Sequence, residues 1–465
     1  MLRVSAIAES VGVPTSSLCC EGFLGQAKTT SVGLGFPNLP VACVPGHVDV
    51  QSEQHLFDNV CNVTVDQVIQ NLTGDIPVAV QAKDPAPDDI VFSGSFEAVN
   101  RLFIENGWSD GLPIVPPTKA KISEFLGFTD YDGDHVIGRL LPDNRLATVW
   151  NVAVNGVMAG CRPEYMPILV ALAEAMADPQ YGVEHSGNTP GAETLIVLDG
   201  PLIRELDFNY EQGALRDGFQ ANTSIGRFWR LYLRNVAGFL LHENDKGSFG
   251  NTWRVVLAEN EASLKRMKWP SIAQDAGIRE SDSAVTISRF TGGNVIVSVF
   301  GDSAEKCLPY LADALTTHTT WELIFTIGFA QGTYRPLLIL SPLIAETIAA
   351  SGLSKKDVQQ WLFENARIPA WRFEQYMTGW TNLVPGKRSL NDFVRLGKAP
   401  KLYAGTDKDR LVPIVYEPEH IMIGVSGDPM RSNCYLFVHN GMLGFPTTKP
   451  VVLPRDWHAR RRAQD

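Results

Sequence analysis

The chain has 465 residues, of which 45% are apolar and 20% charged, so it can bury a large core and is predicted to form two domains. Its formal net charge of −11 argues against nucleic acid or an anionic membrane as a main partner, because both select proteins with basic patches. No apolar run approaches the roughly 20 residues of a membrane span. Residues 1–20 lack the pattern of a signal peptide, and seven cysteines without a regular framework suit a reducing compartment, so we expect a cytoplasmic protein.

The first 74 residues predict an alternation of helices and strands. A helix over 2–11 is followed by a strand that ends at Cys19-Cys20, a helix over about 21–35, a strand over 39–44 and a helix over 64–72. This order predicts a small, doubly wound α/β unit whose first strand is missing. Its incomplete sheet edge would leave backbone groups unpaired, so we expect a homo-oligomer that pairs at this edge. The first helix is expected to have one apolar face, formed by Leu2, Val4, Ile7, Ala8 and Val11.

The remainder of the chain predicts a linker, a large mixed α/β domain and a tail. Residues 75–94 are rich in proline and aspartate and predict the linker, residues 95–455 predict the domain, and the charged tail 456–465 is expected to fray. Ser95 is expected to cap the first helix of the domain. The predicted strands cover 194–198, 253–258, 284–289, 295–300, 323–327, 336–340, 412–416 and 421–425. The predicted helices cover 96–106, 148–159, 163–177, 225–236, 304–316, 342–351, 355–366 and 370–376.

Several short motifs of the N-terminal region occur together, and more motifs follow in the large domain. The first set is Gly12 to Thr15, Cys20 to Phe23, Gln26-Ala27, Leu39 to Val41 and Pro45 to His47. With these motifs the chain resembles the UGSC-like domain family, whose members are named for a Cys/Sec-Gly-Ser-Cys motif. The resemblance places that motif just before the helix at 2–11, so this chain looks like a member without its namesake motif. The family's cysteine pair is similar to motifs of thiol- or selenol-based reductases. Residues 107–113, 155–167, 427–429 and 431–434 resemble the companion domain of longer members.

Cys161 is the first candidate for chemistry. It lies between Gly160 and Arg162, where one predicted helix ends and another begins at Pro163. The N–H groups of a helix N-terminus, together with Arg162, would favour the thiolate and make Cys161 a nucleophile. Glu164 is a second candidate catalytic residue, and Arg162 a candidate for substrate binding. The alternative is that Cys161 is a small buried residue in a tight turn, with Arg162 and Glu164 bracing that turn.

Asn151 and Asn155 lie one turn apart on the predicted helix that precedes Cys161. Asparagine is a poor helix former, so two of them on one face of an apolar helix need hydrogen-bond partners. Those partners are either a substrate, in which case both residues are substrate-binding, or a neighbouring loop, which the sequence slightly favours.

A polar loop over 183–191 contains the candidate general acid or base. His185 is a titratable group between neighbours that form hydrogen bonds, Ser186 and Asn188, and we expect it to transfer a proton while the other two bind substrate. The alternative is a solvated loop histidine.

Three arginines, Arg227, Arg230 and Arg234, are predicted to share one helix face. Their spacing suits a carboxylate or phosphate, and Arg227 and Arg234 are the candidate anion clamp. A cap formed by Asn222 to Ser224 would add the N-terminus of that helix. The alternative is a solvated basic face that pairs with acidic surface.

Two further loops contain weaker candidates. Asp110 follows a predicted helix end in a Ser-Asp-Gly turn and is a candidate catalytic residue, and Arg431 lies in a glycine-containing turn that could hold an anion. Cys20, Glu21 and His47 follow strands of the N-terminal unit, where ligands gather, although the sequence leaves the reactivity of Cys19, Cys20 and Cys43 open.

No motif for zinc, another metal, nicotinamide or flavin appears, so no metal and no cofactor are predicted. The first hypothesis is a cytosolic enzyme that acts on a small anionic metabolite by thiol-based reductive or lyase-type chemistry. The second is a ligand-binding or structural subunit whose reactive Cys-Gly-Ser-Cys motif is supplied by another chain.

Overall fold

The computed structural model describes residues 2–74, 89–251 and 253–463, and most of the predicted linker, 75–88, lies outside the described residues. The protein is of the α/β class, as predicted. The chain divides into two compact units. Unit 1 comprises 1–163, 183–191 and 228–248, and unit 2 comprises 164–182, 192–227 and 249–465.

The helices and strands alternate irregularly along the chain. The helices are α1 Leu2–Ser10, α2 Leu24–Gly33, α3 Glu53–Asn59, α4 Val65–Thr73, α5 Phe96–Glu105, α6 Lys119–Leu126, α7 Val149–Ala159, α8 Met166–Ala177, α9 Leu202–Glu205, α10 Gln220–Asn235, α11 Glu261–Met267, α12 Ile272–Asp275, α13 Ala304–His318, α14 Pro342–Ala350, α15 Lys355–Asn365, α16 Ala370–Thr378, α17 Leu390–Arg395 and α18 Trp457–Arg462. The strands are β1 Ser17–Cys20, β2 Val41–Val44, β3 Val136–Leu140, β4 Arg145–Thr148, β5 Glu193–Asp199, β6 Val256–Ala258, β7 Ala284–Ile296, β8 Leu337–Leu340, β9 Arg367–Pro369, β10 Leu411–Pro413, β11 Met422–Val425, β12 Cys434–His439 and β13 Thr447–Pro450.

Unit 1 begins with the predicted α-β-α-β alternation. Strands β1 and β2 pair in parallel, with Cys19 opposite Cys43 and Cys20 opposite Val44. The helices that follow β2 are linked to it by side chains, since the Thr64 hydroxyl donates to the Cys43 carbonyl oxygen at 2.8 Å. The sequence therefore predicted the first four elements of this segment, α1, β1, α2 and β2, correctly.

Two details of the N-terminal segment differ from the prediction. The expected apolar face of α1 is not buried: Val4 is 71% exposed and Ile7 67% exposed, and the residue that α1 buries is Ala6. The helix predicted over 64–72 begins much earlier, at Glu53, and includes a π-helical turn over Val60–Thr64 between α3 and α4. Small residues such as alanine allow close packing without a large side chain, which a hydrophobicity pattern underweights.

The sheet of unit 2 is mixed and strongly curved. Its strands have the order β11-β8-β12-β7-β5-β6, and β13 also pairs with β7. The first half of β7 pairs with β5 and β13, and its second half pairs with β12. Beyond the ends of β6 and β11, the backbone N–H of Asn260 donates to the Val425 carbonyl oxygen at 2.7 Å. The sheet thus curls until its two outermost strands meet.

Several predictions for the large domain are wrong. The strand expected over 323–327 is a 3-10 helix, Trp321–Phe325, and the strands expected over 284–289 and 295–300 are one strand, β7. A short apolar run that is buried on all sides has no alternation of apolar and polar residues. Its hydrophobic pattern therefore does not distinguish a strand from a helix. The strands β3, β4, β9, β12 and β13 were not predicted.

The described part of the predicted tail, 456–463, is ordered rather than frayed. Helix α18 buries Trp457, whose indole N–H donates to the Glu205 carboxylate at 3.0 Å. Arg461 donates to the carbonyl oxygen of the same glutamate at 2.7 Å. One buried aromatic residue thus anchors the charged segment, which composition alone did not indicate.

Within the described residues, none of the helices has both the length and the apolar character that a membrane crossing requires.

Candidate functional site

The candidate site in unit 1 begins at the N-terminus of α7. The Thr148 hydroxyl accepts a hydrogen bond from the Asn151 backbone N–H, and the Asn151 side-chain oxygen accepts one from the Thr148 N–H in return. This reciprocal capping box fixes the first turn of the helix and the position of Asn151. One turn later, the Asn155 amide donates to the Asn151 carbonyl oxygen at 2.9 Å. The two asparagines therefore lie on one face, as their spacing predicted.

The C-terminal turn of α10 supplies the second side of the site. Arg234 donates to the carbonyl oxygen of Gly107 at 3.1 Å. The Asn235 amide donates to the carbonyl oxygen of Trp108 and to the Asn155 side-chain oxygen, both at 3.0 Å. These contacts hold the loop at 107–108 between two helices. The start of the loop that contains Asp110 thus belongs to this site, through Gly107 and Trp108.

A cavity of about 440 Å³ lies between these elements of unit 1. Among the sequence-predicted residues, Asn151, Asn155 and Arg234 line it. Its charged lining is balanced, because Arg234 and Arg145 face Asp143 and Glu243. The volume and the mixture of polar and aromatic groups, including Trp108, suit a small polar molecule.

Asp143 and Arg145 form an ion pair at 2.9 Å in this cavity. Burial raises the pKa of the Asp143 carboxyl above its usual range, and Glu243 adds to this while Arg145 opposes it. Gly238, with φ of +84°, approaches this carboxylate so closely that a Cβ there would clash with it. The acidic side of the cavity is therefore closely packed.

Cys161 lies between the end of α7 and the helical segment that begins at Pro163, as predicted. Its backbone N–H donates to the Gly156 carbonyl oxygen at 3.1 Å, so it belongs to the C-terminal turn of α7, which ends at Gly160 with φ of +79°. Pro163 begins a 3-10 turn, and α8 begins only at Met166. The residue is 9% exposed and does not line the cavity, nor do Arg162 and Asp110, which also belong to unit 1.

The loop over 183–191 keeps its three predicted residues together, but away from the lining of the cavity. His185 is exposed, and its carbonyl oxygen accepts a hydrogen bond from the Asn188 amide at 2.9 Å. Ser186 is buried. The hydrogen bond from Gln26 to the carbonyl oxygen of Gly187, at 2.8 Å, secures this loop within unit 1.

The remaining predicted residues, Glu164, Arg227 and Arg431, belong to unit 2 and do not line the cavity of unit 1. Arg227 lies on α10, as predicted, but the expected cap over 222–224 is wrong because α10 begins at Gln220. Asn222 is buried inside the helix, and its amide donates to the carbonyl oxygens of Asn209 and Val256. Arg431 is exposed in its loop.

The polar residues of the cavity that sequence reasoning missed include Asp143, Arg145, Asn235 and Glu243. Asn235 directly follows the predicted residue Arg234 at the end of a helix, so its position in the sequence could have indicated that it belongs to the same site. The other three depend on the β3–β4 hairpin and on a turn after α10, which the hydrophobic pattern did not reveal.

Three of the four thiols of the N-terminal segment, those of Cys19, Cys20 and Cys43, belong to the paired strands β1 and β2. Burial raises the pKa of the Cys19 thiol, and Cys20 and Cys43 add to the increase. Burial also raises the pKa of the Cys43 thiol, with a further contribution from Glu21. A raised pKa favours the neutral thiol of Cys19 and Cys43 over the thiolate, which is the nucleophile. The described residues contain no group of three His, Cys, Asp or Glu side chains arranged to hold a metal ion.

Comparison with known proteins identifies one segment of the chain. Residues 3–74 match the model of the UGSC family. The N-terminal segment is therefore similar to the UGSC family. This match confirms the resemblance for that segment, and no family model covers the rest of the chain, so the resemblance of the companion domain stays a prediction. Neither a curated protein nor a solved structure matches the chain.

Proposed function

We propose that unit 1, which includes the segment similar to the UGSC family, binds a small polar metabolite bearing a carboxylate, in the cavity lined by Asn151, Asn155 and Arg234. The observation that carries the proposal is that these three residues, selected from helical spacing alone, line one cavity together with Arg145. A guanidinium group offers planar paired donors that match a carboxylate.

The balanced charge of the cavity narrows the class of ligand that we expect it to bind. Asp143 and Glu243 lie on the same lining as the two arginines, so a ligand with a hydroxyl or ammonium group besides its carboxylate would satisfy both sides. The Asn151 and Asn155 amides are already engaged with the protein backbone or with Asn235, and they contribute mainly by fixing the shape of the wall.

Two observations favour ligand binding over thiol chemistry as the role of this cavity. Cys161 is nearly buried and lies outside the lining, and the predicted proton carrier His185 does not line it either. The thiol enzyme is therefore our second candidate, and it rests on the sequence context of Cys161. It predicts that iodoacetamide labels Cys161 well below the pH needed for a free thiol, and that Cys161→Ser abolishes turnover of the identified metabolite.

A cytoplasmic location is part of the same proposal. It is supported by the cysteines, since the described residues, which include all seven cysteines of the chain, contain no disulfide.

The test is a thermal-shift screen of the full chain with lactate, malate, succinate, aspartate and glutamate, followed by titration calorimetry of the acids that raise Tm. Arg234→Gln should weaken the selected acid at least about tenfold, the size expected for a lost charge-assisted hydrogen bond. Arg230→Gln is the matched control, because Arg230 lies on the same helix without lining the cavity, and it should change the affinity less than twofold.

Two results would refute the proposal. One is that none of the five acids raises Tm. The other is that Arg230→Gln weakens binding as much as Arg234→Gln, since the arginine in the cavity would then have no special role. Circular dichroism of both variants shows whether the helix is intact.

A further inference from the structure

Helix α2, in the segment similar to the UGSC family, contributes to the wall of the cavity of unit 1. Thr29, near the middle of α2, is one of the residues that line the cavity. Gly25 and Gly33 lie one turn before and one turn after Thr29, so the three residues share one face of the helix. The UGSC-like segment therefore supplies a side chain to a cavity whose other lining residues lie between 103 and 243.

The two glycines allow α2 to approach two turns of unit 1 closely. A Cβ on Gly25 would overlap the backbone carbonyl oxygen of Glu243, and a Cβ on Gly33 would overlap that of Pro142. Glycine, which has no side chain, is the residue that fits such a contact. Gly25 and Gly33 thus hold α2 against both turns, with Thr29 on the same face between the two contacts.

The same two turns carry the acidic side chains of the cavity. Asp143 directly follows Pro142, and Glu243 lies on the other turn. Glu243 helps to raise the pKa of the Asp143 carboxyl, so the two carboxylates are close enough to repel each other. Asp143 pairs with Arg145, whereas the Glu243 carboxylate has no ion-pair partner within the described residues. A positively charged group of a ligand would therefore be stabilised on this acidic side.

The Thr29 hydroxyl adds a hydrogen-bond acceptor to the acidic side. Its hydrogen is donated to the Gly25 carbonyl oxygen, one turn earlier in α2, at 3.2 Å. A hydroxyl group has one hydrogen to donate and two lone pairs that accept. Because the hydrogen is used within the helix, Thr29 offers the cavity an acceptor, as the two carboxylates do.

We propose that the ligand of this cavity is an α-amino acid, and that Thr29 of the UGSC-like segment selects it over acids without an ammonium group. The inference rests on the proposed function, in which the arginines of the cavity bind the carboxylate. The ammonium group has three N–H donors, and Thr29, Asp143 and Glu243 offer acceptors for them.

The Asp143–Arg145 pair supports the same ligand class. Its carboxylate and guanidinium groups lie side by side at 2.9 Å. An α-amino acid carries its ammonium and carboxylate groups on one carbon, so its two charges are also close together. A zwitterion of this kind complements adjacent charges of both signs, whereas a simple carboxylic acid complements the positive one alone.

The first test compares L-aspartate, L-malate and succinate. The three acids share the same two carboxylates and differ at one carbon, which carries an ammonium group, a hydroxyl group or a hydrogen. Titration calorimetry with the full chain at pH 7 gives the three affinities. Aspartate should bind at least about tenfold more tightly than malate and succinate, the size expected for hydrogen bonds to a charged group.

The second test removes the Thr29 hydroxyl. Thr29→Val keeps the size and β-branching of the side chain, and it should weaken aspartate about tenfold while leaving succinate within twofold, because succinate has no donor for the hydroxyl. A disturbed packing of α2 would instead weaken both acids. The matched control is Thr30→Val, since Thr30 is the next residue of α2 and does not line the cavity, and it should leave both affinities within twofold.

The third test removes a negative charge from the acidic side. Glu243→Gln leaves the backbone contact with Gly25 in place and should weaken aspartate about tenfold without weakening succinate. Glu124→Gln is the control, because Glu124 is an exposed glutamate of unit 1 outside the cavity lining, and it should change neither affinity more than twofold.

Two results would overturn this inference alone. One is that malate, succinate or lactate binds as tightly as aspartate and glutamate, and the other is that Thr29→Val weakens aspartate no more than Thr30→Val does. In both cases an acid still binds and Arg234→Gln still weakens it, so the proposed function stands. If none of the acids binds, the proposed function fails and this inference fails with it.

Discussion

The protein contains two pairs of adjacent parallel strands with reactive side chains at their carboxyl ends, β1–β2 and β5–β6. Every residue of β5 and β6 is buried, whereas Ser17 is the one buried residue of β1 and β2 buries two of four. Asp199 and Glu259 lie at the carboxyl ends of the buried strands β5 and β6. Glu21 and His47 follow the half-exposed strands β1 and β2. The strand arrangement is the same, but at the β5–β6 end burial also raises the pKa of a carboxyl group, that of Asp199.

The comparison shows that topology alone does not activate a residue. A strand end brings side chains together, but a large pKa shift also needs removal of water and a nearby charge. The β5–β6 end provides both for Asp199. On β1 and β2, the pKa values of the Cys19 and Cys43 thiols are raised mainly by partial burial. Three predictions test this difference, from the largest expected effect to the smallest.

The largest effect is expected from removing the buried side chain of Glu259, which follows β6. Glu259→Ala would leave the backbone N–H groups of Ile272 and Val425 without their acceptor and would open a cavity at the seam of the sheet. We expect a loss of about 3 kcal/mol or more in the free energy of unfolding, measured by urea denaturation.

Two further variants are the controls for that measurement. Glu259→Gln retains one acceptor oxygen and should lose less, and Glu419→Ala, at an exposed glutamate of the same unit, should stay within about 0.5 kcal/mol of the wild type. If Glu259→Ala were as stable as Glu419→Ala, the buried side chain of Glu259 would have no structural importance.

The second prediction concerns the pH dependence of stability. Because the pKa of Asp199 is raised in the folded protein, the folded state keeps a proton that the unfolded chain releases above about pH 4. The stability that this proton provides is fully present below that pH and falls as pH rises, by at most about 1.4 kcal/mol per pH unit, until the folded carboxyl also ionises.

Asp199→Asn removes this proton linkage. Its advantage over the wild type in free energy of unfolding should therefore grow from pH 4.5 towards pH 8. Urea denaturation at four pH values measures the difference, in which the titrating groups that do not interact with Asp199 cancel. Parallel stability curves for the two proteins would show that Asp199 ionises normally.

The sequence located the strands of the buried pair but not their importance. The predicted strands at 194–198 and 253–258 correspond to β5 and β6, and an acidic residue follows each of them immediately. That position was a usable signal for the buried carboxyl groups. What the sequence could not provide is that the two strands are neighbours and parallel, because strand order depends on contacts between distant segments.

The cavity of unit 1 shows the same limit. Asn151, Asn155 and Arg234 were predictable because helical spacing is local information. Asp143 and Arg145 flank the turn of the β3–β4 hairpin, whose strands are short and partly exposed and therefore carry little hydrophobic signal. Cys161 was placed correctly between two helical segments, but its burial and its position outside the cavity lining depend on contacts that a local pattern does not reveal.

The smallest effect is expected at the half-exposed strand pair. Iodoacetamide reacts with the thiolate, and burial raises the pKa of Cys19 and Cys43, so at pH 8 both should be alkylated several-fold more slowly than the exposed Cys61. Mass spectrometry of peptides from timed samples gives the three rates, and the same reaction in urea should make them equal. If native Cys43 reacted as fast as Cys61, a thiolate would exist at this strand end and half-exposed strand ends could activate their residues too.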